Sequence, residues 1–586
     1  MRHALFSLFA TVFFCSFSFA QVGGTLPSKD VSHTFYATGN LGTINNNQNN
    51  PVIQALAKAM KKGNSATLLL IGNNASPKGF SKDGSMGKQN LDSYSNALQP
   101  FSKNIYFIPG SSDWESGLKG LKAQEDYLEQ VYNNKNVFQP EKGCPIKRIK
   151  INDDVVLLIL DSQWALSNWD KIPSINDDCH IKTKSEFYTE VESQIVKNQG
   201  KTVLIAVNHP ITAYGKYGNS YSFGINPQNI NNKFYKEFSG RLLTIAQQSK
   251  NVVFVSGHEQ NMQYIVKRKV PVIISGSGGI TTQVDAGKYS KFHSNESGFS
   301  KIIAYKDGSM WVSFYGASNN FDSPIYVSEV IRPEVAVSLP DYNEESTPAI
   351  VSKSIYKPEE LKRTAFYKML WGKHYREDYK TPVAVKSALL DTLYGGLSVI
   401  RKGGGHQTNS LRLETKDGKS YAMRSTKKSA LRFIQYFLFK TYYLDPEIAD
   451  TYFIQLLQDY WTTANPYGSL TIGDLSDAIN VYHANTKMYY IPKQKALGIY
   501  NDDYGDKVYF IEERLTDGHG NVASLGNTNT IVSTSDLFET LRRKDIIEIN
   551  ESRYIRSRLF DNIIGDFDRH EDQWRWAVQE QKNGVP

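Results

Sequence analysis

A series of short apolar runs, most of them ending in a loop of Gly, Asn, Ser or His, sets the strongest limit on what the first half of this chain can become. They include Thr34–Ala37, Ala66–Ile71, Ile105–Ile108, Val155–Leu160, Thr202–Val207, Val252–Val255 and Val270–Ile274. Continuous apolar runs of this length, bounded by turn residues, read as strands buried on both faces. Polar stretches with helical periodicity lie between them, including Pro51–Lys61 and Leu118–Tyr132. The alternation predicts a layered α/β domain, with chemistry expected in the loops that follow the strands. The Asn-rich stretch Asn45–Asn50 is expected to be a polar loop.

The chain is long enough for more than one such unit. Of its 586 residues, 40% are hydrophobic and 22% charged, a balance that allows two sizeable cores. Around Glu334–Tyr356 prolines stand among acidic and Ser/Thr residues with little periodicity. We read residues 21–333 as one domain, 334–363 as a linker and 364–586 as a second, α+β domain. The net charge of +8 is a mild bias over this length, and no Lys/Arg-rich block or zinc-finger spacing occurs. No nucleic-acid partner is expected.

At the N-terminus Arg2 and His3 precede an apolar run, Ala4–Phe19, and Ser18 and Ala20 sit at the −3 and −1 positions before Gln21. This is the pattern of a secretory signal peptide over residues 1–20. The run is short for a membrane anchor, and Phe14 stands where a lipoprotein signal ending at Cys15 needs a small residue. Export to the periplasm or outer-membrane surface of a Gram-negative cell is expected. Cys144 and Cys179 then remain, and two thiols in an exported chain favour one disulfide, with two free buried thiols as the alternative.

The strand-end loops read Gly39-Asn40-Leu41-Gly42, Gly72-Asn73-Asn74, Pro109-Gly110-Ser111-Ser112-Asp113-Trp114, Asn208-His209-Pro210 and Gly257-His258-Glu259-Gln260. Their order and spacing resemble the calcineurin-like metallophosphoesterases, close to the purple-acid-phosphatase branch. The resemblance covers roughly residues 30–320 and implies a four-layer α/β sandwich. It also implies a two-metal site, which this chain departs from. The family's Asp positions hold Asn40 and Asn73, its Asn-His pair is Ser111-Ser112, and its last His is Gln260. His209 and His258 remain as tentative metal ligands, with Asp113 beside the lost pair. Two Asp→Asn replacements remove two negative charges from a site meant for cations, and neutral amides and hydroxyls are poor ligands there. Either no metal or one weakly bound divalent ion is expected. Asn40, Asn73, Ser112, Asp113 and Gln260 become candidate binding residues instead. Trp114, Trp164, Tyr214 and Tyr217 could line such a surface, with packing favoured for the two tryptophans.

In the second unit, Leu411–Leu413 and Tyr421–Met423 flank a Lys416-Asp417-Gly418-Lys419 turn, a hairpin signal preceded by Gly403–Gly405. Val508–Leu515 reads as a strand, and Arg556–Trp576 contains Asp566-Phe567-Asp568-Arg569-His570. This resembles the catalytic loop of atypical kinases. The resemblance implies Asp568 as the catalytic base, Gly404 at the phosphates, Arg424, or else Lys427 or Lys428, in a role kinases give to Lys, and ATP with magnesium as cofactors. No second metal-binding Asp follows before Pro586, which fits an inactive or incomplete domain; Lys582-Asn583-Gly584 looks like a turn opening a further hairpin. The two-part arrangement is similar to large envelope proteins of Bacteroidetes-type bacteria, which add an outer-membrane barrel and so imply an outer-membrane association through a C-terminal region missing here.

Three functions follow as expectations. The first is a non-catalytic envelope module that binds a protein partner or a phosphorylated small ligand. The second is a metal-dependent phosphoester hydrolase, and the third a phosphotransferase centred on Asp568.

Overall fold

The computed structural model describes residues 24–579 except 44–49, 62–65, 76, 86, 168–178, 180, 199, 219–223, 333–340, 343, 345–346, 404–406, 543–547, 567–568 and 570–572. The expected signal peptide, Gly404, Asp568 and the Lys582-Asn583-Gly584 turn therefore lie outside the described residues.

Thirteen strands build the first unit among the described residues: β1 Val31–Thr38, β2 Ala66–Ile71, β3 Ile105–Ile108, β4 Ile146–Lys150, β5 Val155–Leu160, β6 Thr202–Val207, β7 Val252–Ser256, β8 Met262–Lys267, β9 Val270–Ser275, β10 Ser290–Ser294, β11 Gly298–Tyr305, β12 Met310–Gly316 and β13 Tyr326–Ile331. They form two sheets, ordered β13-β12-β11-β1-β2-β3 and β10-β8-β9-β7-β6-β5-β4. Within the first, β1, β2 and β3 are parallel. Within the second, β5, β6, β7 and β9 are parallel.

The apolar runs are continuous because each strand is covered on both sides. Phe35, Ala37, Leu69, Ile71, Leu157, Ile159, Leu204, Ala206, Val253 and Val255 pack between the two sheets. The alternate residues Tyr36, Leu68, Leu70, Leu158, Leu160, Val203, Ile205 and Phe254 turn outward to meet helices. Pro51–Lys61, Lys88–Leu98 and Gly117–Tyr132 supply Leu56, Leu91 and Leu121, while Lys184–Lys197 and Lys233–Ala246 supply Phe187 and Phe238. The result is the expected sandwich of helix, sheet, sheet and helix. Thr183 and Asn232 fix the starts of the last two helices by accepting the backbone N–H of Glu186 and Phe234. The disulfide Cys144–Cys179 forms, with Cα atoms 5.6 Å apart.

The second unit contains β14 Ile350–Lys353, β15 Val383–Ser387, β16 Leu397–Lys402, β17 Thr408–Thr415, β18 Ser420–Lys428, β19 Lys487–Ile491 and β20 Lys507–Glu513. These form one sheet in the order β14-β15-β19-β20-β18-β17-β16. An antiparallel pair, β21 Thr530–Ser533 with β22 Arg575–Val578, forms a separate two-stranded sheet. The expected β17–β18 hairpin is present, with Gly418 at φ +85° in its turn. The reading of 334–363 as a linker needs correction: β14 lies inside it and pairs with β15. Tyr356 and Leu361 also pack with Tyr379. A four-residue edge strand among prolines gives too little periodicity to register in the sequence. No helix among the described residues is long and apolar enough to cross a membrane.

Candidate functional site

The C-terminal ends of β1, β2, β3, β5, β6 and β7 converge, so the loops singled out in the sequence meet at one edge of the sandwich. Their backbone is tightly wound. Asn40 and Asn73 both adopt left-handed conformations, at φ +62° and +57°, which asparagine tolerates better than most residues. Gly72, at φ +81°, has the Asn208 side chain where a Cβ would stand. Only glycine satisfies both conditions there.

Asn40 is buried, and its side-chain amide donates to the carbonyls of Gly257 (2.5 Å) and Gly276 (2.7 Å), tying the first sheet to the second. Its own side-chain carbonyl accepts from Asn73 Nδ2 at 2.7 Å. The Asn73 side-chain carbonyl in turn accepts from the backbone N–H and the hydroxyl of Ser112, both at 2.9 Å, and from Ser111 Oγ at 3.4 Å. Asn208 completes the tie between sheets by donating to Ile71 O at 2.9 Å. Asp113 stands behind this network. It is fully buried, and its carboxylate accepts from the backbone N–H groups of Gly110 (2.8 Å), Asn74 (2.9 Å) and Ala75 (3.1 Å) and from Gln124 Nε2 (3.1 Å). Burial pushes its carboxyl up while these donors pull it down. Asp113 organises two loops and presents nothing to the cleft, although the sequence offered it as a binding residue.

His209 and His258 lie side by side, ring centroids 4.2 Å apart. Gln228 bridges them. Its side-chain carbonyl lies 2.6 Å from His209 Nε2 and its backbone carbonyl 3.1 Å from His258 Nε2. A carbonyl oxygen can only accept, so both Nε2 atoms carry protons. Ser162 Oγ meets His209 Nδ1 at 2.8 Å, leaving that ring neutral with its lone pair used. Burial lowers His209 to about 4 and holds His258 well below its ordinary value, with repulsion from His209 adding to the second shift. Tyr217 packs against His258 at 4.4 Å and Tyr235 against His209 at 5.2 Å.

Two further carboxyl groups sit nearby. Asp161 accepts from Trp114 Nε1 (2.8 Å) and Trp164 N–H (3.0 Å), and burial raises it to about 7. Glu259 accepts from Tyr217 N–H (3.0 Å) and is likewise raised by burial to about 7. Trp114 and Trp164 are core residues, as expected. Gln260 is buried near the rim, where its backbone carbonyl accepts from Thr282 N–H at 2.7 Å.

This donor set does not fit a pair of metal ions. Asn40, Asn73, Ser111 and Ser112 are neutral amides and hydroxyls bonded to one another. The two imidazoles present N–H rather than a lone pair to the point between them. No group of three or more His, Cys, Asp or Glu among the described residues is arranged to hold a metal. The sequence singled out Asn40, Asn73, Ser112, His209 and His258; the first three share one hydrogen-bonded network, and the two histidines pack against each other. It missed Ser162, Gln228, Asp161 and Glu259, and Gln228 lies in a loop with no motif to mark it.

In the second unit, Arg424 projects from β18 and its Nε pairs with Glu512 of β20 at 3.0 Å.

No protein-family model matches the chain, and no curated protein matches it significantly. Solved structures similar to it include GAP50, the anchor in the inner membrane complex of Plasmodium, at 18% identity over 51% of this chain and 88% of that one, with a TM-score of 0.38. The purple acid phosphatase PPD1 from yellow lupin (Lupinus luteus) seeds is similar at 11% identity over 54% of this chain and 58% of that one, TM-score 0.36. The calcineurin-like phosphoesterase YfkN of Bacillus subtilis is similar at 12% identity over 50% of this chain and 93% of that one, TM-score 0.27.

Proposed function

We propose that this is an exported, non-catalytic binding protein whose first unit is a calcineurin-like phosphoesterase sandwich with a retired metal centre. The observation that carries this reading is the Gln228 bridge across His209 and His258. It engages Nε2 of both imidazoles, the two side chains that the sequence offered as metal ligands. The Asn73-to-Asn40 bond supports it by joining the positions where two carboxylates would be needed. The cleft rim, with Ser111, Ser112, Gln260 and Tyr217, offers neutral donors, acceptors and an aromatic face. That suits a phosphorylated small ligand or a segment of an envelope protein. Export rests on the leader-like residues 1–20, and the disulfide is in keeping with an oxidising compartment.

The test is metal content by mass spectrometry, on protein purified without chelators and offered manganese, iron and zinc, alongside turnover of a chromogenic phosphoester. Near-zero metal and no turnover are expected. One or two ions per chain, with hydrolysis lost in His209→Ala and His258→Ala, would replace this reading with that of a hydrolase.

For the second unit we keep a kinase-like reading. The β16–β18 meander, followed by the helix Ala430–Phe437 and the β19–β20 pair, supports it. Thermal stabilisation by ATP with magnesium, and phosphotransfer lost in Asp568→Ala, are its expected signs. No shift at millimolar nucleotide would remove it.

A further inference from the structure

Strand parity separates the side chains of the second sheet into two sets. Leu411 and Leu413 of β17, Tyr421 and Met423 of β18, and Tyr509 and Ile511 of β20 all join one apolar cluster. The residues between them must point to the opposite face. That face carries Arg412, Ala422, Arg424 and Glu512, in direct register across three strands: Arg412 opposite Ala422, and Ala422 opposite Glu512. Arg401 of β16 lies opposite Arg412 on its other side. Arg514 follows two residues after Glu512 and anchors its own backbone to Ser420 of β18 at 2.8 Å. Four arginines thus share one patch of sheet, and the residue at its centre is alanine.

Two of the four are already neutralised. Arg401 pairs with Glu190 of the helix Lys184–Lys197, and Arg424 with Glu512. Arg412 and Arg514 make no hydrogen bond or ion pair through their side chains among the described residues. Both are partly buried. Glu414, two residues along the same face, pairs with neither. Glu186 and Glu190 approach from the helix, and their attraction offsets the surroundings only in part. Burial first, and then repulsion from Arg514 and Arg401, lowers Arg412 to about 9. Burial, then Arg401, Arg575 and Arg424, lowers Arg514 to about 10.

Unpaired, half-buried guanidinium groups repelling one another are costly unless an anion joins them. Arg412 lies two strand spacings from Glu512, and Arg514 follows two residues further along, so the backbones of Arg412 and Arg514 are about 12 Å apart on the diagonal. Both side chains can reach over Ala422 to one group. Paired guanidinium forks match the oxygens of a tetrahedral dianion better than a single carboxylate. We propose that this face of the second sheet is a binding site for a phosphate group, held between Arg412 and Arg514 over Ala422. The site is separate from the cleft at the strand ends of the first unit and does not depend on whether that cleft is catalytic.

The test uses the full chain in EDTA, melted in the presence of inorganic phosphate, pyrophosphate or ATP, with sodium chloride at equal ionic strength as reference. Saturable stabilisation beyond the chloride reference is expected. A preference for ATP would identify a nucleotide as the source of the phosphate, and a preference for pyrophosphate or phosphate a simpler ester or free anion. Arg412→Gln and Arg514→Gln should each weaken the response by about tenfold or more. Arg412→Lys, which keeps charge but loses the fork, should fall between, and Arg332→Gln, far from the patch, should match the unmodified chain. Without anion, Arg412→Gln should melt no lower than the unmodified chain, because it removes repulsion. A response no larger than chloride, or an undiminished response in both glutamine variants, overturns the proposal. Arg514→Gln decides the matter alone should Arg412→Gln fold poorly.

Discussion

Asn73 donates its side-chain amide to the side-chain carbonyl of Asn40 across 2.7 Å, so the loops that follow β1 and β2 are bonded to each other through two left-handed residues. Residue 73 must be an amide to supply this donor, and residue 40 must be one to donate to the carbonyls of Gly257 and Gly276. A carboxylate at either place would lose a donor and gain an unfavourable neighbour.

Asn40→Asp should therefore destabilise the first unit. The new carboxylate would face the carbonyls of Gly257 and Gly276, which now accept hydrogen bonds. A loss of about 2–4 kcal/mol is expected at neutral pH. Urea unfolding measures it, and a loss below about 1 kcal/mol would mean the network matters less than its geometry suggests.

Glu259 gives a pH signature. Burial raises it from an ordinary 4.5 to about 7, so the folded state holds its proton more tightly than the unfolded state does. The associated stability is fully present below pH 4.5 and declines as pH rises toward 7. Compared with Glu259→Gln, the unmodified chain should lose up to about 3 kcal/mol across that window, since each tenfold change in proton affinity is worth about 1.4 kcal/mol. Titrations of Asp161 and the histidines cancel in this difference. A difference that stays flat, or grows in the opposite direction, would contradict the burial argument.

Reducing the Cys144–Cys179 disulfide should lower stability. It closes a loop of 35 residues in sequence separation, for which chain entropy gives about 3–4 kcal/mol. Non-reducing peptide mapping should recover the linked pair, and melts with and without reductant should differ. Two free thiols in the mapped protein would refute the pairing.

The buried ion pair of the second unit makes a separate prediction. Asp459 is held by Arg376 through Nε (2.8 Å) and Nη2 (2.6 Å), by Arg363 at 3.3 Å and by the Tyr367 hydroxyl at 3.1 Å. Burial acts to raise its carboxyl, but these partners outweigh it and leave the group below its ordinary value. Asp459→Asn strands two guanidinium groups and should cost about 3–5 kcal/mol. Denaturant unfolding checks it, and a near-neutral effect would show the arginines finding other partners.

The fold of the first unit was legible because its strands are buried on both faces. Ala66–Ile71, Ile105–Ile108, Val155–Leu160 and Thr202–Val207 read from the sequence with the boundaries that the structure gives them. Edge strands were harder. Ile146–Lys150 carries three basic residues among five and buries only Ile146, and Ser290–Ser294 buries only Phe292. Site residues that sit directly after strands were legible for the same reason: the strand end fixes where they must be. Gln228 acts from a loop, and Ser162 from the first turn of a short helix after β5, and nothing in their neighbours in sequence announces the imidazole they meet. Arg412 and Arg514 carried no motif either. Their relationship emerges only when three strands are laid in register.

The alternation along each inner strand has one more consequence. Phe35 and Ala37 belong to the layer between the sheets, while Tyr36 belongs to the layer beneath the helices. The same chain segment is thus a wall shared by two rooms. Loosening a strand drains both at once, so neither layer can come apart while the other stays closed. These shared walls are made of strand residues alone, whatever side chains the strand-end loops carry.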